Sequence, residues 1–159
     1  MQRNYGPVIE RVSAAARGGG SREERMRAVV DALWEAFGGT RGGVSWVGFY
    51  LAPRGRESAE LVLGPHRDKP ACSPIGLHGA CGQALRTGPL VVADVRALGE
   101  AYIACDPRDL SEAVAPVGPG DGEPWGVLDL DSHQVAAFGE ADVAGLAAVV
   151  RAAGLCDQD

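Results

Sequence analysis

No run in the chain comes near the roughly 18 consecutive apolar residues that a membrane span needs. After Met1, the polar Gln2, Arg3 and Asn4 leave no apolar core for a secretion signal. A basic excess is also missing: the formal charge is −6, and the arginines between positions 17 and 27 are interrupted by Glu23 and Glu24. Neither nucleic acid nor a membrane is therefore an expected partner. There is no internal repeat or low-complexity tract, and no two cysteines have the C-x-x-C spacing of a zinc knuckle or a thioredoxin-type motif. The expectation is a cytoplasmic protein with one core, because a chain of 159 residues buries roughly two thirds of its unfolded surface.

Four cysteines are present, Cys72, Cys81, Cys105 and Cys156. In a reducing compartment they favour catalytic, redox or metal roles over structural staples. Gly18, Gly19 and Gly20 separate a first helix over 7–16 from a second whose start is marked by Ser21 and Glu24. Met26, Val29, Val30, Leu33, Trp34 and Phe37 then keep the i, i+3, i+4 rhythm of one buried face, which Gly38 and Gly39 end. Strands are expected over 44–51, 60–63, 89–95, 111–117 and 125–131, and a last helix over 140–153. Helices at both ends of a largely antiparallel sheet indicate an α+β fold. Its domain covers 21–155, preceded in 1–20 by the first helix and its glycine linker. Two long irregular segments, 63–89 with one short helix over 81–86 and then 96–110, carry three of the cysteines. Such segments in a compact domain are usually functional or disordered.

Side chains alternate along a strand, so each strand sorts into two faces. Asp129 and Asp131 share a face with Trp125 and Val127, while Leu128 and Leu130 point the other way. Glu112 falls with Val114 and Pro116, opposite Ala113, Ala115 and Val117, and a hairpin between these strands would bring it near the aspartates. Trp46, Gly48 and Tyr50 oppose Val47, Phe49 and Leu51, which gives either a pocket wall or core packing. Clustered carboxylates raise one another's pKa unless a cation or donors are present, and a ligand ammonium or a hard metal ion would serve. His66, His78 and His133 are scattered through loops and read as surface residues.

Six blocks together carry a resemblance. They are Trp46-x-Gly48-Phe49-Tyr50, Leu63-Gly64-Pro65 through Lys69-Pro70-Ala71-Cys72, Gly79-Ala80-Cys81-Gly82, Ile103-Ala104-Cys105-Asp106, Ser111-Glu112, and Gly126-Val127-Leu128-Asp129-Leu130-Asp131-Ser132. In this order they resemble the free methionine-R-sulfoxide reductases. The chain departs from that pattern at Tyr102, where the family usually has His, and in a loop between Cys72 and Cys81 that is one residue shorter.

The resemblance implies a single GAF domain, a central antiparallel sheet with N- and C-terminal helices packed on it. It implies Cys105 as nucleophile, Cys72 as the thiol that resolves a sulfenic acid into a disulfide, and Cys81 in an auxiliary recycling part. Glu112, Asp129 and Asp131 would line the substrate site with Trp46 and Tyr50 near it. Free methionine-R-sulfoxide would be the substrate and thioredoxin or a similar dithiol the reductant, with no metal or organic cofactor required. A homodimer stays open. Two other readings also stay open: a GAF module that senses a small ligand or redox state without turnover, and a regulatory zinc site built from Cys72, Cys81 and Cys105.

Overall fold

Helix α2 (Arg22–Phe37) begins at Ser21, whose hydroxyl accepts from the Glu24 N–H at 3.2 Å while Glu24 Oε2 accepts from the Ser21 N–H at 2.7 Å. Two orphan donors of the first turn are thus satisfied, a cap worth about 0.5–2 kcal/mol. The computed structural model describes residues 2–68 and 70–156. Met1 and Lys69 of the sequence pattern lie outside the described residues. Helix α1 (Gly6–Arg17) precedes α2, and α4 (Glu140–Ala152) closes the fold. Between them run β1 (Trp46–Leu51), β2 (Glu60–Arg67), β3 (Ile75–Gly76), α3 (Ala80–Thr87), β4 (Leu90–Val92), β5 (Ser111–Val117) and β6 (Gly126–Ser132).

The strands form one antiparallel sheet in the order β3-β2-β1-β6-β5-β4. One face carries Val47, Phe49, Ala113, Ala115, Val117, Leu128 and Leu130 into a core with α1, α2 and α4. Leu128, Leu130 and Phe49 are fully buried there, each stabilising the fold by about 1.5–3 kcal/mol. The other face carries Trp46, Tyr50, Val114 and Val127 against α3 and the irregular segments. This is the α+β arrangement of helices on a central sheet that the hydrophobic pattern implies. No helix among the described residues is long and apolar enough to cross a membrane.

Several local expectations need correction. Trp125 packs with the helix-side core under the Arg22 guanidinium, 4.4 Å from its ring centroid, and not on the Asp129 face. The ladder begins only at Gly126, so strand alternation does not extend to its neighbour. Trp34 is only half-buried, with Arg67 over its ring. The strand expected over 89–95 is short, because Val95–Ala101 turns into 3-10 structure. In the segment 63–89, β2 runs on to Arg67 and β3 adds a two-residue edge strand.

The N-terminal segment is tied to α4 by a buried ion pair. Arg3 Nη1 donates to Asp142 Oδ1 at 3.2 Å and to the Ala137 carbonyl at 2.9 Å, and its Nη2 donates to the Gly42 carbonyl at 2.7 Å. Tyr5 donates to the same Asp142 oxygen at 2.8 Å, and Asp142 Oδ2 caps α4 through the Gly139 N–H. Removing one partner of a buried pair strands the others. Asp142→Ala is therefore expected to lower urea-unfolding stability by about 3–5 kcal/mol, and a loss below about 1 kcal/mol, the scale of one ordinary hydrogen bond, would show that this clamp does not stabilise the fold.

Candidate active site

The second sheet face places its polar side chains in rows. Trp46 on β1 stands opposite Asp131 on β6, and Asp131 stands opposite Glu112 on β5. In the next row Gly48, Asp129 and Val114 are aligned in the same way. Direct cross-strand partners hold side chains about 4.5–5.5 Å apart at Cβ, so three carboxylates converge. Single oxygens of Glu112, Asp129 and Asp131 lie within 4.8 Å of one another.

The missing side chain at Gly48 makes room for an aromatic stack. A Cβ there would run into the Trp46 ring and the His66 Cβ. Trp46 stacks on Tyr50 at 5.8 Å and on His66 at 5.9 Å between centroids. His66 is thus half-buried against the tryptophan and not simply a surface residue. His78 and His133 are exposed as expected.

The two irregular segments close over this face. Tyr50 donates its hydroxyl to the Cys72 carbonyl at 2.8 Å, which fastens the first segment to β1. The second segment lies on the start of α3, where a Cβ on Gly79 would meet Ile103 Cδ1 at 2.8 Å. Cys72 and Cys105, 33 residues apart, are joined as a disulfide with Cα atoms 5.5 Å apart. A cavity results, lined by Trp46, Tyr50, Ile103, Cys105, Glu112, Asp129 and Asp131, and also by Cys81, Tyr102 and Asp109. Cys72 is not itself in the lining and is tied to it through its bond to Cys105. Cys156 lies far along the chain beyond α4, packed on the helix-side core.

Burial dominates the electrostatics. It pushes Asp129 up to about 7, opposed by the hydrogen bond from Cys81 and reinforced by Asp109. Glu112 and Asp131 are driven well above the carboxylate range, first by burial and then by neighbouring acids. Cys81 donates its thiol to Asp129 Oδ2 at 3.3 Å, and burial followed by the Asp129 charge raises it well above an ordinary thiol. Asp129 Oδ1 and Trp46 Nε1 are buried without a partner among the described residues. An acceptor and a donor are left open in the same wall.

Residues next to Cys105 fix its loop. Asp106 accepts from the Arg108 backbone and side chain and lies 3.2 Å from His133 Nε2. Arg108, before any other cause, holds its carboxyl down at about 2. Tyr102 donates to the Asp106 and Asp109 carbonyls at 3.4 and 3.5 Å, at the long end of the hydrogen-bond range. Asp109 escaped the sequence reading because it precedes β5 in a loop, where no alternation assigns it a face. Oxygens of Glu112, Asp129 and Asp131 could hold a hard cation. The three-thiol zinc set is not available in this state, because Cys72 and Cys105 are bonded to each other.

The sequence matches the GAF domain family over residues 20–156. It is 35% identical over 112 residues to the free methionine-R-sulfoxide reductase of Saccharomyces cerevisiae, covering 69% of this chain and 61% of that one. With the Escherichia coli protein of the same name it shares 37% identity over 110 residues, 67% of this chain and 62% of the relative. The chain thus spans about three fifths of the length of these curated relatives. The crystal structure of free methionine-R-sulfoxide reductase from Neisseria meningitidis, in complex with its substrate, superposes with a TM-score of 0.78 at 34% identity, covering 95% of this chain and 89% of that one.

Burial and the hydrogen bond to Asp129 hold the Cys81 thiol in its protonated, less reactive form. After reduction of the disulfide, iodoacetamide is expected to modify Cys72 and Cys105 in the folded protein and to reach Cys81 only in denaturant, read by peptide mass mapping. Alkylation of Cys81 at the rate of Cys105 would show that burial and Asp129 do not hold its proton.

Proposed function

We propose that this chain, which belongs to the free methionine-R-sulfoxide reductase family of GAF domains, reduces free L-methionine-R-sulfoxide to L-methionine with its own cysteines. The observation that carries this reading is the Cys72–Cys105 disulfide on the wall of a cavity lined by three raised carboxyl groups. That juxtaposition supplies both halves of the chemistry, a sulfur nucleophile and a proton source.

In the reduced enzyme Cys105 attacks as the thiolate, the reactive form of a thiol. One of Glu112, Asp129 and Asp131 gives a proton to the sulfoxide oxygen, as a carboxylic acid kept neutral near pH 7 can. The oxygen passes to Cys105, which becomes a sulfenic acid, and methionine leaves. The Cys72 thiol then attacks that sulfur, water departs, and the disulfide forms. An external dithiol of the thioredoxin type returns both cysteines to thiols by exchange. Cys81 takes its auxiliary part in recycling as a thiol, through its hydrogen bond to Asp129, without itself exchanging. The enzyme works in the cytosol, where such reductants are kept reduced, either alone or as a homodimer.

The substrate is the free amino acid because an acid of the cavity that stays ionised needs a compensating cation. The α-ammonium group supplies one, and a methionine sulfoxide residue inside a protein does not. Trp46 and Tyr50 flank the side chain.

Dithiothreitol-dependent turnover of separate R and S epimers tests the proposal. Free methionine-R-sulfoxide should be reduced and the S epimer ignored. Cys105→Ser should abolish turnover and Cys156→Ser leave it nearly unchanged, while N-acetylation of the substrate should lower kcat/KM by roughly ten- to a hundredfold, the worth of a charge-assisted hydrogen bond. Equal loss from both serine variants, or binding without turnover as expected of a sensor, would refute it.

A further inference from the structure

The cavity holds a fourth acid that strand alternation does not reveal. Asp109 is buried, 6% exposed, and lines the same space as Glu112, Asp129 and Asp131. Its surroundings differ from theirs. Ser45, just before β1, donates its hydroxyl to Asp109 Oδ1 at 2.7 Å, and His133 Nε2 lies 3.5 Å from the same oxygen. Ser45 is itself anchored, its N–H donating to the Asp131 carbonyl at 2.8 Å. The carboxyl group is therefore held by Ser45 from the start of β1 and by His133, which also reaches Asp106 beside Cys105.

Several acids in one small volume cannot all be ionised. Which of them keeps its charge follows from its partners. At Glu112 and Asp131, burial and neighbouring carboxylates push the same way, toward the neutral acid. Asp109 is raised as well, first by burial and also by the neighbouring Asp106, but the Ser45 hydrogen bond and the nearby His133 and Arg108 oppose that shift. Asp109 in turn raises Glu112, Asp129 and Asp131. With a hydroxyl donor and an imidazole at its carboxyl group, Asp109 accommodates negative charge better than Glu112 and Asp131, which are left as proton donors. A second observation points to a ligand with groups of its own to place. Asp129 Oδ1 and Trp46 Nε1 are buried in this wall with no partner among the described residues.

We propose that Asp109 is a specificity-determining residue of this site: its carboxylate, oriented by Ser45, receives the α-ammonium group of the free amino-acid substrate. The assignment rests on the reductase reading above and separates two tasks. Asp109 recognises the cation, and the acids on β5 and β6 serve the sulfoxide oxygen. Ser45 acts through Asp109 and is a positioning residue.

The test compares free L-methionine-R-sulfoxide with 4-(methylsulfinyl)butanoate of the same sulfur configuration, which lacks the amino group. Asp109→Asn keeps an oxygen for the Ser45 hydroxyl and removes the charge. In this variant KM for the free amino acid should rise by about ten- to a hundredfold with kcat largely kept, and kcat/KM for the deaminated analogue should be unchanged or improved. Ser45→Ala, which leaves the charge and loosens its orientation, should raise KM for the amino acid severalfold and spare the analogue. It keeps the test decisive if Asp109→Asn does not fold. Equal losses on both substrates, a fall in kcat at constant KM, or no change from either variant would overturn the assignment while leaving the reductase reading in place. A wild-type protein that reduces neither compound would overturn both.

Discussion

Burial of carboxyl groups on one face of a sheet is the constraint on which the rest of this molecule turns. An isolated ionised carboxylate away from water costs many kcal/mol, and a protein escapes that cost by neutralising or pairing the group. Here Asp129, Asp131 and Glu112 sit on adjacent strands with few donors among them, so burial and mutual repulsion drive them toward the protonated form. Cys81 meets Asp129 as a thiol donor, which keeps both protonation states coupled to the same wall. Acids held toward their neutral forms are thereby placed to give protons into the cavity. In the proposed account a free amino acid brings the cation and takes up one of the protons.

The two faces of the sheet divide the work. The helix side packs Leu128, Leu130, Val47 and Phe49 against α1, α2 and α4, and it includes the buried Arg3–Asp142 pair. That layer supplies most of the apolar burial. The other side is covered by α3 and by two segments with little regular structure, which meet at the Cys72–Cys105 disulfide. A covering of this kind can carry cysteines that change their bonding, because strands beneath it hold the carboxylates and aromatics in fixed register. Tyr50 joins the layers, its ring on the sheet and its hydroxyl on the Cys72 carbonyl.

What could be read in the sequence followed from periodicity. Alternation along 46–51, 111–117 and 126–131 puts Trp46, Tyr50, Glu112, Asp129 and Asp131 on one face, and the registers Trp46 to Asp131 and Asp131 to Glu112 bring them together. Ser21 and Glu24 marked the start of α2 to the residue. Where periodicity stops, so did legibility. Trp125 lies one residue outside its ladder and crosses to the other core, and β3 is too short to show a pattern. Asp109 and His133 occupy loops, where Asp109 meets the Ser45 hydroxyl and His133 meets the Asp106 and Asp109 carboxylates. The cysteine pairing was implied by family resemblance alone, since a separation of 33 residues leaves no local signal.

A single turnover without reductant tests the account most directly. Reduced, desalted protein would be mixed with a slight excess of L-methionine-R-sulfoxide, the methionine released would be quantified, and the disulfide formed would be located by peptide mass mapping. The account predicts equimolar methionine and a Cys72–Cys105 bond that appears together with it. Methionine release that leaves Cys72 and Cys105 as thiols, or a substrate-driven disulfide joining Cys72 to Cys81 instead, would contradict it.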